Sequence, residues 1–446
     1  MATEYTFAIH TLGCKVNQYD SSRLEQTLLE SGLRLVDFED VADVYIVNTC
    51  AVTSTASRKS RQMVRSLRRR HPDARIAIIG CYSEIALNED PGADEFAVVE
   101  SLPVDLTLGV LPAPDSAAAI LSLLEGVDER DGSGSSPAVV RPTRPIVVAQ
   151  RGCDGGCTYC LIPRARGPLD SLDPADVIEG VRTRVEGGAR EVVLAGIHLG
   201  AYGRDAGADI DLKELILRIV EIPGSWRLRI SSLEPMDLDA DLLGEILDHP
   251  RVAPHLHLPL QSGSNSVLAR MGRGYDTSSY ANMVEDIRRY IDFGLTTDVM
   301  VGFPGETEPE HRESLAFVKR MQFGRIHVFP YSPRPKTPAA SFPGRVDGKI
   351  LRRRRDEFLD LARESARKFH RAQLGKTLEV LLEEPVGESR GGGRGCVLIR
   401  GYAGNYAPVR VRTNARDALG DVVPVEIEGY DDEGCWGGRI SGPDST

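Results

Sequence analysis

No apolar run in the 446 residues comes near the ~20 that a membrane-spanning helix needs, although 41% of the chain is hydrophobic. The chain therefore reads as soluble. Its first residues, MATEYTFAIHTLGC, lack the basic segment and long apolar stretch of a secretory leader, so a cytoplasmic location is expected. Cysteine is sparse as well. Eight in a chain of this length are too few for a disulfide scaffold, and in a reducing compartment they point to metal or redox chemistry. The glycine-rich GIHLGAYG lacks the lysine of a nucleotide phosphate loop and the spacing of a dinucleotide fingerprint, so it is read as neither. No internal repeat is visible.

Three of the eight cysteines stand together. Cys153, Cys157 and Cys160 have C-x₃-C-x₂-C spacing in RGCDGGCTYCLIPRARG, directly after the apolar run that begins at Ile146, with no fourth ligand near. Structural zinc takes four ligands and ordinary iron–sulfur clusters take four thiolates, so the site is one ligand short. One metal is then left with an open position, unless a zinc ligand arrives from elsewhere in the chain. Three more cysteines share a different pattern. Cys14 follows the strand-like FAIHTLG, Cys50 follows DVYIVNT and Cys81 follows RIAIIG, each ahead of a helical run or polar turn. Ligands of an open parallel α/β sheet bind beyond the carboxyl ends of its strands, so these thiols are expected to converge on one edge. Cys396 and Cys435 show no such placement and are read as ordinary thiols.

The expected class is α/β. Alternating strand and helix signals give an N-terminal open α/β domain over 1–126, and a Gly/Ser/Pro-rich linker follows at 127–143. A second alternating region covers 144–372. Its strand candidates at 146–150, 191–195, 227–231, 255–259, 296–300 and 326–329 predict a partial (β/α)6 barrel with its chemistry at the carboxyl strand ends. Short strands between glycine-rich turns over 373–441 predict a small antiparallel barrel.

The net charge of −11 conceals an uneven distribution. The segment SRKSRQMVRSLRRRH, which contains Arg58, Lys59, Arg61 and Arg65, carries no acid at all. A second basic stretch is KILRRRRDEFLDLARESARKFHR. Such faces suit a phosphate backbone, and they equally suit a solvated helix face.

TLGCKVNQYDS, VNTCAVTSTASRKSRQ, GCYSE, RGCDGGCTYCLIPRARG, HLHLPLQSGSNSVLARMGRGY, TTDVMVGFPGETE and HVFPYSPRPKTPAA together resemble the radical S-adenosylmethionine (SAM) methylthiotransferase family. The resemblance covers nearly the whole chain. GCKVNQ, RISSLEP and HVFPYSPR are most similar to the subgroup that modifies N6-threonylcarbamoyladenosine of tRNA. The isopentenyladenosine subgroup is closer to GCQMN, and the subgroup acting on a ribosomal protein to GCPKN. Two positions depart from the pattern: Lys336 stands where glycine is usual, and Gly156 where an aromatic is common.

The resemblance implies two [4Fe-4S] clusters, SAM and a tRNA substrate. Cys153, Cys157 and Cys160 would hold the cluster that cleaves SAM, and Cys14, Cys50 and Cys81 the one that holds the sulfur to be inserted. The adenine C2–H bond is neither acidic nor polarised, so an acid or base has no productive proton to move and a carbon radical is needed. An electron donor of flavodoxin or ferredoxin type is also implied, whereas the sulfur source stays open. Tyr159, Gly196, Gln261 and Ser262 are candidate SAM contacts. For Tyr159 the alternative is a loop-core aromatic, and for Gln261 and Ser262 it is local turn bonding. Asp298 and His198 are expected in strand-end hydrogen-bond networks. The tail would be an RNA-binding TRAM domain, with Tyr402, Asn405, Tyr406, Arg410 and Arg412 beside bases and phosphates. A protein methylthiotransferase and a non-catalytic RNA-binding iron–sulfur protein are the competing functions.

Overall fold

The computed structural model describes residues 5–88, 96, 98–125, 142–205, 210–289, 293–388, 397–413 and 419–440. Cys396 and nearly all of the expected linker lie outside them. Contacts group the chain into two compact units. One takes Met1–Arg141, Arg151–Asp170 and Ser332–Ser341; the other takes Pro142–Gln150, Ser171–Tyr331 and Phe342–Thr446. This grouping differs from the division read in the sequence. The second cysteine loop belongs by contact with the N-terminal domain, because Leu161 and Ala165 just past it are buried among Val64, Leu67 and Ile78.

In the first unit, β1 (Thr6–Thr11), β2 (Arg34–Leu35), β3 (Val44–Thr49), β4 (Arg75–Gly80) and β5 (Leu106–Thr107) form a parallel sheet. Its order is β2-β1-β3-β4-β5. VYIVNT and RIAIIG read as nearly continuous apolar runs because both sheet faces are covered. Phe7, Val44 and Ile46 face helices Lys15–Glu30 and Ala113–Leu124, whereas Ala8, Tyr45 and Val47 face Ser54–Arg70. Thr53 caps that last helix by accepting the Ala56 N–H, and Arg68, Arg69 and Arg70 complement the negative end of its dipole.

The second unit carries six parallel barrel strands, β6 (Ile146–Arg151), β8 (Glu191–Gly196), β9 (Arg227–Ile230), β10 (His255–His257), β11 (Gly294–Val301) and β12 (Arg325–Pro330), with β7 (Asp170–Ser171) beside β6. Each matches its expected strand to within about two residues. Two sheets, β7-β6-β8-β9 and β10-β11-β12, are joined by bridges from Leu228 to Val252 and from Ser232 to His257. Leu194, Leu228, Leu256 and Val299 fill the core. The helices between them start on strong caps; Thr307 and Glu310, for example, form a reciprocal capping box.

The tail is a closed barrel of β13 (Thr377–Glu388), β14 (Val397–Ala403), β15 (Pro408–Thr413), β16 (Val422–Tyr430) and β17 (Cys435–Arg439). One expectation fails here. β15 and β17 pair in parallel, so the barrel is not antiparallel throughout. A closed ring of five strands cannot alternate direction all the way round, and one parallel pair is geometrically required. The β14–β15 turn rests on the amino-terminal ends of the barrel strands. Arg227 and Arg229, both paired with buried Glu191 at 2.5 Å, donate to the carbonyls of Glu379, Tyr402, Ala403 and Gly404. Among the described residues no helix is long and apolar enough to cross a membrane.

Candidate functional site

Strand order places the first three cysteines together. The chain reverses its direction of winding between β1 and β3, and in such sheets the crevice at the reversal lies beyond the strands' carboxyl ends. Cys14 stands after β1, Cys50 after β3 and Cys81 after β4, so all three thiols open into that crevice. Asn17, itself buried, ties their loops. Its Nδ2 donates to the carbonyls of Leu12 and Thr49 and to Asn48 Oδ1, each at 3.0 Å. Its Oδ1 lies 3.5 Å from Cys14 Sγ and 3.8 Å from Cys81 Sγ. Gly13 has φ +116°, and a Cβ there would meet the Cys50 Cβ at 3.1 Å and Asn17 Nδ2 at 3.0 Å. Only glycine lets the Cys14 loop close this far.

Two arginines bring positive charge to the same crevice. Arg166 Nε donates to Cys81 Sγ at 3.2 Å, and its Nη2 reaches Asn17 Oδ1 at 2.9 Å and Asp20 at 2.8 Å. Arg334, from the YSPRP segment, is 1% exposed, donates to Ser57 Oγ at 3.1 Å and lies over the Phe96 ring. Burial pushes the Cys50 thiol up, against the pull of Arg334 and Arg166. It pushes Cys81 to about 11 despite Arg166. Cys50 and Cys81 are therefore protonated without metal, and ligation would release their protons. None of the three is in a disulfide. Arg166 Nη1 is buried without a hydrogen-bond partner. Three free thiols on one crevice with an unsatisfied cationic donor beside them fit an anionic iron–sulfur cluster with three protein ligands.

The second set sits on a loop held by its own backbone. Cys153 N–H donates to the Gly167 carbonyl at 3.1 Å and Cys160 N–H to that of Cys157 at 3.1 Å. Gly155 N–H approaches Cys153 Sγ at 3.2 Å, and Ile162 N–H approaches Cys160 Sγ at 3.4 Å. Such N–H donors stabilise thiolate and tune a cluster's potential. All three cysteines are half-exposed, as is Tyr159 between them. A Cβ on Gly156 would meet nothing within 4 Å, so the aromatic often found there has room. Lys336 holds φ +61°, a conformation that strains a residue with a Cβ by about 1 kcal/mol and explains why glycine is usual. Ala339 N–H donates to the Thr158 carbonyl at 2.9 Å, which ties the Lys336 segment to this loop.

At the barrel's strand ends the expected SAM contacts have structural duties. Gln261, at φ +64°, exchanges backbone hydrogen bonds with Asp298 and Met300 of β11, each at 2.8 Å. Ser262 is buried, and its hydroxyl accepts the Ser264 N–H at 3.2 Å, which is the turn role rather than an open face. Gly196 permits tight packing, since a Cβ would sit 3.0 Å from the Leu199 Cα. His198 pairs with Asp237 at 2.8 Å. Asp298 lies 3.1 Å from His327 Nδ1 and 3.4 Å from His257 Nε2. Burial pushes the Asp298 carboxyl up, but the two imidazoles outweigh it and hold it well below the usual range.

The expected RNA contacts divide. Arg58, Lys59 and Arg65 are exposed and make no ion pair among the described residues, whereas Arg61 donates to Tyr82 Oη at 3.0 Å. Asn405 and Tyr406 have packing partners within the protein. Asn405 is 4% exposed and bonded to Gln373, and Tyr406 stacks on His255 at 4.5 Å and on Tyr402 at 4.9 Å. Both fasten the β14–β15 turn to the barrel, Asn405 from a buried position and Tyr406 from a half-buried one. Arg410 pairs with Asp431 and Glu433, and Arg412 with Glu428, so their charge is largely neutralised. In helix Gly348–Arg371 part of the basic stretch is likewise paired, Arg353 with Glu308 and Glu357 and buried Arg354 with Glu306. Cys435 is buried, its thiol directed at the His370 carbonyl.

Residues 6–96 match the model of the Uncharacterized protein family UPF0004, and residues 147–318 match that of the Radical SAM superfamily. The chain is 37% identical over 434 residues to the threonylcarbamoyladenosine tRNA methylthiotransferase MtaB of Bacillus subtilis, covering 95% of this chain and 93% of that protein. It is 34% identical to the tRNA-2-methylthio-N(6)-dimethylallyladenosine synthase of Desulfosudis oleivorans, with 87% and 84% covered. Among solved structures, the radical S-adenosylmethionine methyltransferase TsrM of Kitasatospora setae, with cobalamin and a [4Fe-4S] cluster bound, shares the fold. Its TM-score is 0.55 at 13% identity, with 76% of this chain and 74% of that chain covered.

Proposed function

The chain belongs to the radical-SAM methylthiotransferase family, which uses [4Fe-4S] clusters and SAM, and within it we propose methylthiolation of C2 of N6-threonylcarbamoyladenosine at position 37 of tRNA. The observation that carries the reading is the convergence of Cys14, Cys50 and Cys81 at the reversal of the first sheet, in the same unit as the Cys153 loop. A single cluster serves SAM cleavage; a second three-thiolate crevice is what sulfur insertion adds. The threonylcarbamoyl substrate is supported by the GCKVNQ and HVFPYSPR variants and by the 37% identity to the Bacillus subtilis protein over nearly its full length.

When bound, the clusters and SAM supply a 5′-deoxyadenosyl radical and the sulfur and methyl of the transferred group. The protein's residues do the rest. Cys153, Cys157 and Cys160 would ligate the SAM-cleaving cluster, their loop fixed by the hydrogen bonds from Cys153 and Cys160. Cys14, Cys50 and Cys81 would ligate the sulfur-bearing cluster, with Asn17 setting the spacing of their loops. Arg58, Lys59 and Arg65 offer charge without an ion-pair partner among the described residues, on the helix that follows Cys50, where an RNA backbone can use it. A small electron-carrier protein is the expected reductant.

Mass spectrometry of tRNA nucleosides from cells lacking the gene tests the reading. The 2-methylthio form of N6-threonylcarbamoyladenosine should vanish and its precursor accumulate. Loss of methylthiolated isopentenyladenosine instead would move the chain to the other tRNA subgroup, and unchanged nucleosides would overturn a tRNA substrate.

A further inference from the structure

Arg166 occupies an unusual position for a buried cation. Its side chain is 1% exposed and it ends the short helix Ile162–Arg166, directly after the second cysteine loop. Yet its guanidinium reaches back to the first set of cysteines. Nε meets Cys81 Sγ at 3.2 Å, and Nη2 is shared between Asn17 at 2.9 Å and Asp20 at 2.8 Å. That leaves Nη1, buried and without an acceptor. Guanidinium donors are not left unmatched in an interior without a penalty of about 1–3 kcal/mol, so the group is built for an acceptor. Its charge acts most on Cys81, which it touches, and reaches Cys14 and Cys50 as well. The crevice those thiols share is therefore where the acceptor belongs.

The residue that follows it serves the other cysteines. The Gly167 carbonyl accepts the Cys153 N–H at 3.1 Å. Two consecutive residues thus hold one ligand from each set: Cys81 through a side chain, Cys153 through a backbone carbonyl. Leu161 and Ala165, packed into the first unit's core, keep this short helix in place.

Resting on the reading of Cys14, Cys50 and Cys81 as cluster ligands, we propose that Arg166 is a positioning residue that orients Cys81 and raises the reduction potential of the cluster on these thiols. A nearby positive charge and N–H donors favour the more negative, reduced state, so their presence moves the potential upward. Asp20 opposes it, since its carboxylate lies on the same guanidinium.

The test uses full-length protein with Cys153, Cys157 and Cys160 replaced by alanine, reconstituted anaerobically, so that one cluster is read. Its potential is measured by titration followed with electron paramagnetic resonance. Arg166→Gln is expected to shift the potential to a more negative value, and Arg166→Lys, which keeps charge but loses the fork, by less. Asp20→Asn is expected to shift it the other way. Potentials unchanged in Arg166→Gln and Asp20→Asn would overturn the proposal and leave Arg166 a plain ion-pair partner. If Arg166→Gln fails to take up iron, the Asp20→Asn shift alone decides, and its absence overturns the idea. Should the parent triple variant bind no iron at all, it is the assignment of the first cysteine set that fails, a result distinct from either.

Discussion

Arg166 Nε lies 3.2 Å from Cys81 Sγ although 85 residues separate the two in sequence. The loop bearing the second cysteine set is thereby fastened to the crevice bearing the first, within one compact unit. Whatever chemistry each set supports, their spacing is fixed by a hydrogen bond and a packed helical turn.

Iron content separates the two sets. Two four-iron sites correspond to about eight irons per chain after anaerobic reconstitution. Replacing Cys14, Cys50 and Cys81 by alanine should halve the iron and abolish methylthiolation while sparing 5′-deoxyadenosine formation. Replacing Cys153, Cys157 and Cys160 should halve the iron and abolish both. Stoichiometric zinc with no iron would contradict the assignment.

Gly13→Ala should remove iron from the first set selectively. The added Cβ would press on Asn17 and Cys50 at 3.0 and 3.1 Å, and at a φ of +116°, which alanine disfavours, so the Cys14 loop is expected to shift. Iron analysis with Mössbauer spectroscopy should show a deficit confined to one cluster. Equal loss from both would point to general unfolding instead.

Salt dependence of tRNA binding should locate the RNA grip. Neutralising Arg58, Lys59 and Arg65 should flatten the slope of log affinity against log salt by roughly 0.7–0.9 for every phosphate that is no longer neutralised. Neutralising Arg410 and Arg412 should do less, because each already faces a carboxylate. The opposite ranking would return the grip to the C-terminal barrel.

Glu191→Gln should destabilise the protein by about 3–5 kcal/mol, since Arg227 and Arg229 would be left buried without their counter-charge. Acid should act likewise. Burial pushes the Glu191 carboxyl up, but the two guanidinium groups prevail and hold it at about 2, below its ordinary 4.5. Its contribution is complete above the unfolded value and is lost as pH falls from about 4.5 through about 2. Denaturation profiles at pH 3 and pH 6 should therefore differ less in the glutamine variant than in the parent.

Much of the architecture was legible because it rests on local pattern. All six barrel strands and the three strand–cysteine junctions follow from apolar runs that end at glycine, cysteine or polar turns. What escaped depends on contacts between distant segments. Asn17 and Arg166 stood within quoted motifs, yet nothing local shows that one joins three loops and the other crosses to Cys81. The partners of Asn405 and Tyr406 were hidden for the same reason: an aromatic beside cations on a short strand reads as an RNA surface, and nothing local shows that His255 stacks against it. The acids opposite Arg410 and Arg412 lie on the strand beyond β17 or in the turn between β16 and β17, out of reach of a linear reading.

The turn that plugs the barrel also sets a length. At one end of β11, the Asn405 carbonyl packs so closely on Gly294 that a Cβ there would lie 1.9 Å from it. At the other end stands Val301, seven steps of roughly 3.3 Å away, or about 23 Å along the strand. A ligand that touches the C-terminal barrel and the carboxyl strand ends together must span at least that distance. A free nucleoside is too short to do so. Any contact the C-terminal barrel makes with a substrate must accordingly come from a part of that substrate well removed from the group held at the carboxyl strand ends.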